Sequence, residues 1–167
     1  MIQWSLGRFA PIEKTSVPMM IAFSVVMFGI RLFLAAPFWA SGQTRWIQFP
    51  TNLASSTTYL FENEFMLHFG FFEMPIPFGG FVGYMTGLAE IILPVLIVVG
   101  LMTRFSALAL LAMTIVIELV FPEAWPIHIQ WAIAAGAIAY CGPGLFSVDA
   151  AIRKSGILKP GPAAAAE

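Results

Sequence analysis

The chain has 167 residues, of which 59% are hydrophobic and only 10% charged, and its mean hydropathy is +0.86. A soluble domain of this length cannot hide that much apolar surface in one core, which excludes an ordinary water-soluble fold. A formal net charge of −1 with scattered basic residues gives no nucleic-acid footprint, and the single cysteine, Cys141, excludes an internal disulfide and any multi-cysteine metal site.

Four segments are apolar enough to cross a bilayer: about 17–40, 78–100, 104–121 and 125–140. The first two exceed the roughly 20 residues needed to span about 30 Å of hydrocarbon. The third and fourth are shorter, and Trp125, Trp131 and Tyr140 would anchor the fourth at the interfaces. The expected fold is all-α, an antiparallel four-helix transmembrane bundle with a long outer connection between the first and second spans. Residues 1–16 form a cytoplasmic N-terminal segment, 17–142 the four-span membrane domain, and 143–167 a cytoplasmic tail carrying a short amphipathic helix. The first span is expected to be retained. It is longer than a signal-peptide core, contains Arg31, and ends in Pro37-Phe38-Trp39 rather than in small residues.

Orientation follows from lysine and arginine placement. Arg8, Lys14, Arg104, Arg153, Lys154 and Lys159 collect on one side, which becomes cytoplasmic together with both termini, and Arg45 alone falls outside. The outer connection, 41–77, is too long to be structureless, and its middle, 51–68, predicts a short helix lying on the outer surface. Residues 69–78, rich in Phe and Pro, read as an irregular, partly lipid-contacting stretch. Gly142-Pro143-Gly144 stops the fourth helix, and Ser147 caps a last helix ending near Arg153 and Lys154, with a disordered tail from 160.

Gly79, Gly83 and Gly87 recur every four residues and put a smooth stripe on one face of the second span; Ala132 and Gly136, and Ala135 and Ala139, repeat the pattern on the fourth. Such stripes let helices pack closely in lipid, within the chain or against a partner.

Arg31 and Glu90 lie well inside apolar spans, where a charge turns away from lipid, finds a partner and often marks a functional site. At 1.5 Å per residue, Arg31 falls about 13 Å and Glu90 about 18 Å below the outer ends of their spans, close enough for the two to pair. Pro94 cannot donate to the carbonyl four residues back, so the helix is expected to kink there and free the Glu90 carbonyl; Pro37 does the same for Phe33. The pair reads either as a register pin or as a ligand-contacting site. Glu118 is expected to reach the outer interface. His68 and His128 fall on the outer side near Glu62, Glu64 and Glu123, but without HxxxH or HxxE spacing no metal site is expected. No nucleophile–base constellation, phosphate loop or haem motif is present.

The chain resembles the DoxX family of small four-helix membrane proteins over nearly all of 20–150. The stretches that carry the resemblance are RLFLAAPFWASG (31–42), LAEIILPVL (88–96), GLMTRFSA (100–107) and GPGLFSVD (142–149). They include Ser41 and Arg104, and Arg45 stands where the family often has a lysine. YLFENEF (59–65) is similar to a branch whose genes lie beside small metal-responsive peptides and their maturation enzymes. The resemblance implies a subunit of a thiosulfate:quinone-type oxidoreductase, or a partner in a membrane redox or stress-response complex, in a bacterial inner membrane. On the first reading Arg31 and Glu90 hold a quinone, no cofactor is covalent, and electrons come from a partner protein. The alternative is a non-enzymatic assembly subunit, or a metal-stress-associated partner with no ligand chemistry of its own. A carrier of metal or small solute is the weakest fit, since the chain has no inverted repeat.

Overall fold

The computed structural model describes residues 16–155. The chain is mostly helical, with six α-helices among the described residues: α1 Val17–Thr44, α2 Ser55–Tyr59, α3 Gly79–Val99, α4 Thr103–Val120, α5 Trp125–Cys141 and α6 Val148–Ser155. Between α1 and α3 lie two small antiparallel hairpins, β1 (Trp46–Gln48) with β2 (Asn52–Leu53) and β3 (Met66–Phe69) with β4 (Phe72–Pro75). Three helices, α1, α3 and α4, are long and apolar enough to cross a membrane. The fourth expected span, α5, has 17 residues and is entered through a one-turn helix at Pro122–Ala124.

The burial pattern is inverted relative to a water-soluble protein. Along α1 the buried residues are Ser24, Met27, Arg31, Leu34, Ala35, Phe38 and Gly42, one stripe at helical spacing, while Phe23, Val25, Val26, Leu32 and Phe33 face outward. Serine, threonine, arginine, glutamate and histidine side chains are among those buried, and many large apolar ones face outward. That is the arrangement expected when lipid is the solvent and polar groups must satisfy one another. One core joins α1, α3, α4 and α5 through Leu34, Phe38, Ile97, Leu110, Ala135 and Ile138.

The long connection is structured. α2 runs directly into one π-helical turn, Leu60–Glu64, so the surface helix expected within 51–68 is present as a shorter element. The stretch expected to be irregular is not: β4 pairs with β3 in the register Met66↔Pro75 to Phe69↔Phe72, turning at Gly70, whose φ is +66°. Its Phe and Pro content hid an alternation that only pairing reveals. At the opposite end α5 stops at Cys141, before Gly142-Pro143-Gly144, and Ser147 Oγ accepts from the Ala150 amide at 3.1 Å to start α6. The expectations for residues 1–15 and 156–167 lie outside the described residues.

The glycine stripe has an unforeseen partner. Gly79, Gly83 and Gly87 do not receive another long helix but seat the connection. A Cβ added at Gly79 would overlap the Phe61 carbonyl, one at Gly83 would lie 3.1 Å from the Phe61 ring, and one at Gly87 would lie 3.1 Å from the Trp46 indole. Trp46 Nε1 donates to the Gly87 carbonyl at 3.2 Å, which fixes the indole against the stripe. Gly136 does not pack as expected, since nothing lies within 4 Å of a Cβ built there. The two positions should therefore differ. Gly136→Ala should leave stability in detergent unchanged or raise it by up to about 1 kcal/mol through helix propensity. Gly79→Ala should cost about 1–3 kcal/mol by overpacking against backbone that cannot retreat, as read by thermal unfolding.

Candidate functional site

The charges that the spans bury are not each other's partners. Glu90, 1% exposed, is held by Arg45, the residue that ends α1. Arg45 Nη2 donates to Glu90 Oε1 at 2.9 Å, and Arg45 Nε donates to Oε2 in a second, shorter bond, so the contact is bidentate. Ser41 Oγ, one turn back on α1, accepts from Arg45 Nη2 at 3.3 Å. The guanidinium lies over the Phe61 ring, 5.2 Å from its centroid.

Arg31, also fully buried, sits elsewhere. Its Nη2 donates to the Phe146 carbonyl at 2.6 Å, the guanidinium carbon lies 5.1 Å from the Phe28 ring centroid, and Nη1 packs on Gly100. The expected Arg31–Glu90 pair is thus corrected to two separate sites. The physical reason is axial offset. α1 continues past Ala40 to Thr44, and α3 begins well above that point, on the cap. The α1 residue opposite Glu90 is Gly42, where an added Cβ would come within 2.9 Å of the Glu90 carbonyl carbon and oxygen. Gly42 is eleven residues beyond Arg31, about 16 Å along the helix, beyond the reach of an arginine side chain.

Gly42 also accounts for Pro94. The proline is buried within α3 and removes the donor that would engage the Glu90 carbonyl. That carbonyl faces Gly42, which has no side chain to block it.

Between the first half of α3 and the last half of α4 lies a cavity of about 420 Å³. Its walls are apolar: Val82 on α3, Met113, Val116 and Ile117 on α4, and Phe61, Phe65 and Leu67 from the connection. Phe65 closes it edge-on against Phe121, with ring centroids 5.3 Å apart. Its charged wall is the Arg45–Glu90 pair, beside Thr86. Arg45 Nη1 makes no hydrogen bond among the described residues, while Nε and Nη2 are committed to Glu90 and Ser41. The arrangement can donate a hydrogen bond from a fixed cation and exchange a proton at a carboxylate, within apolar walls of suitable size for one ring-sized ligand.

The remaining residues singled out from sequence fall into separate places. Glu118 does not simply reach the interface, because His128, buried at the start of α5, donates from Nδ1 to Glu118 Oε2 at 2.7 Å and ties α5 to α4. His68 Nδ1 donates to the Leu119 carbonyl at 3.1 Å, and its Nε2 lies 3.5 Å from its cross-strand partner Glu73, so it fastens β3 to the last turn of α4. Among the described residues no three His, Cys, Asp or Glu side chains come together as a metal site would need. Arg104 is at the far end of the molecule, with Nη2 at 3.5 Å from the Tyr140 carbonyl.

The roles of two residues escaped sequence reasoning. Arg45 had a signal, being the lone basic residue on its expected side, three residues after Gly42. Asp149 lies in the GPGLFSVD stretch that carries the family resemblance, but nothing there foretold that it accepts from the Met102 amide (2.9 Å), the Thr103 amide (2.9 Å) and Thr103 Oγ1 (2.7 Å), capping α4 from a distant segment.

A family model, DoxX, matches residues 26–123, and the chain belongs to that family. The match contains α1 from Val26, the whole connection, α3 and α4, hence the complete Arg45–Glu90 site. No curated protein and no solved structure matched the chain.

The corrected pairing is open to a double-mutant cycle. Arg45→Met or Glu90→Leu alone should cost about 3–5 kcal/mol by stranding a buried charge, and the double variant should recover much of that loss. Arg31→Met combined with Glu90→Leu should be additive within about 0.5 kcal/mol, as for separated sites, in unfolding measured in detergent.

Proposed function

We propose that this DoxX-family chain is an accessory subunit of a redox or respiratory-type membrane complex and holds a quinone headgroup beside Arg45 and Glu90. The proposed setting is an inner (cytoplasmic) membrane, crossed four times with α5 as the fourth span and both termini cytoplasmic. The observation that carries the reading is the apolar cavity of about 420 Å³ with a bidentate ion pair in its wall and one guanidinium nitrogen uncommitted. A quinone, when bound, supplies two-electron, two-proton redox chemistry, and a partner protein supplies the electrons.

The chain's own residues do the rest. Arg45 Nη1 donates to a carbonyl oxygen of the headgroup, and its fixed charge favours electron density arriving there. Glu90, held by Arg45, moves a proton at its carboxylate. Phe61 and Phe65 shield the ring from water, and entry from the lipid runs between α3 and α4, whose outer halves the cavity separates.

A second reading is supported by the same pair. Arg45 and Glu90 engage each other bidentately and Ser41 adds a further bond, which suits a pin that closes the connection over the helices in a purely structural subunit. Extraction and chromatography of lipids from the purified protein separate the two. Quinone should be retained near one per chain and lost in Glu90→Gln under conditions where thermal unfolding shows that the variant is still folded. Absence of quinone at any stoichiometry from well-folded protein would leave the structural reading.

A further inference from the structure

We propose that a groove at the opposite end of the molecule binds the phosphate of an anionic phospholipid between Arg104 and Arg153. The groove encloses about 300 Å³. Its floor is apolar, formed by Met19, Met20 and Phe23 from the first turns of α1 and by Leu145, and its edge is the Gly142-Pro143-Gly144 turn. Two arginines from different elements line it, Arg104 in the first turn of α4 and Arg153 in α6.

Neither guanidinium has an acidic partner among the described residues. Arg153 is exposed and takes part in none of the described hydrogen bonds or ion pairs, and the one bond of Arg104 goes to a backbone carbonyl at 3.5 Å, at the limit of a hydrogen bond. Asp149, four residues before Arg153 on α6, is committed to the α4 amides and the Thr103 hydroxyl. Two cations without an acidic partner among the described residues therefore frame an apolar trough where α1 begins. Charge complementarity calls for an anion, and arginine's planar fork suits a phosphate. The methionine and phenylalanine floor calls for a hydrocarbon chain attached to it. A soluble phosphate would satisfy the arginines and leave the floor wet. A phospholipid satisfies both, with its headgroup at the level where a spanning helix starts and its acyl chain running along α1.

The chain carries its own reporter, because its only cysteine, Cys141, is a free thiol lining the same groove. The experiment measures the rate of Cys141 alkylation by a small maleimide in neutral-detergent micelles titrated with phosphatidylglycerol, phosphatidylcholine or inorganic phosphate. Phosphatidylglycerol should slow the reaction saturably and phosphatidylcholine should not. Each of Arg104→Gln and Arg153→Gln should weaken the half-saturating concentration about fivefold, at about 1 kcal/mol per basic residue at a lipid surface. Both are surface changes, so the unfolding midpoint should hold. Equal protection by the two lipids, or protection that survives the double variant, would overturn the proposal. So would protection by inorganic phosphate alone, which identifies a soluble anion, or a thiol unreactive without any lipid, which identifies the chain's own terminal segment as the occupant.

Discussion

A salt bridge between the end of one helix and the middle of another holds this molecule's architecture together. Arg45 closes α1 and reaches back by about a turn to Glu90, so α1 and α3 are locked in axial register where Gly42 lets their backbones approach. The same guanidinium rests on Phe61, whose carbonyl and ring fill the space left by Gly79 and Gly83. Trp46, the next residue, packs against Gly87 and donates to its carbonyl. One ion pair and three glycines thereby fold a connection of more than thirty residues onto the helices, and the apolar cavity is the space that remains under it. A bidentate arginine–carboxylate contact suits this role, because in a low-dielectric setting its strength depends on geometry and it tolerates little slippage.

The opposite end is organised differently. There a chain segment rather than a side-chain pair bridges the helices. The Gly144–Ser147 stretch returns along α1, giving the Leu145 amide to Ser24 Oγ and the Phe146 carbonyl to Arg31, before Asp149 caps α4. Arg31 is a clamp for that segment. Arg31, buried in the middle of α1, thus holds a loop, and the half-buried Arg45 joins the end of α1 to the middle of α3, which fits a bundle whose outer surface is hydrocarbon-like and whose inner surface carries the polar groups. Arg31 is enclosed by Phe28, Gly100 and Phe146, so of these two arginines only Arg45 lines a cavity.

Much of the fold was legible because it rests on local signals. Helix extents follow from apolar length, the α5 stop from Gly142-Pro143-Gly144, and the α6 start from Ser147, each needing only neighbours within a few residues. Glu90 was legible as an unusual residue for the same reason: one carboxylate in a long apolar run is conspicuous. Its partner was not, because partnership depends on axial offset. An error of several residues in where two helices begin becomes a displacement of roughly 10 Å along their axes, more than a side chain spans. The β3–β4 hairpin was missed because its residues, Phe, Met and Pro, carry no polar alternation when one face meets helices and the other meets an apolar or interfacial environment.

By itself, then, the amino-acid order determined the lipid setting, the rough extents of the long apolar helices, and the family, since all of these depend on composition and short-range pattern. Only the tertiary structure decided that Glu90 belongs to Arg45, that the glycine stripe seats Phe61 and Trp46, and that a cavity lies between α3 and α4. The reason is that these contacts join residues 18 to 45 positions apart, and which of several buried charges meet depends on how the helices slide past one another, a quantity no local pattern encodes.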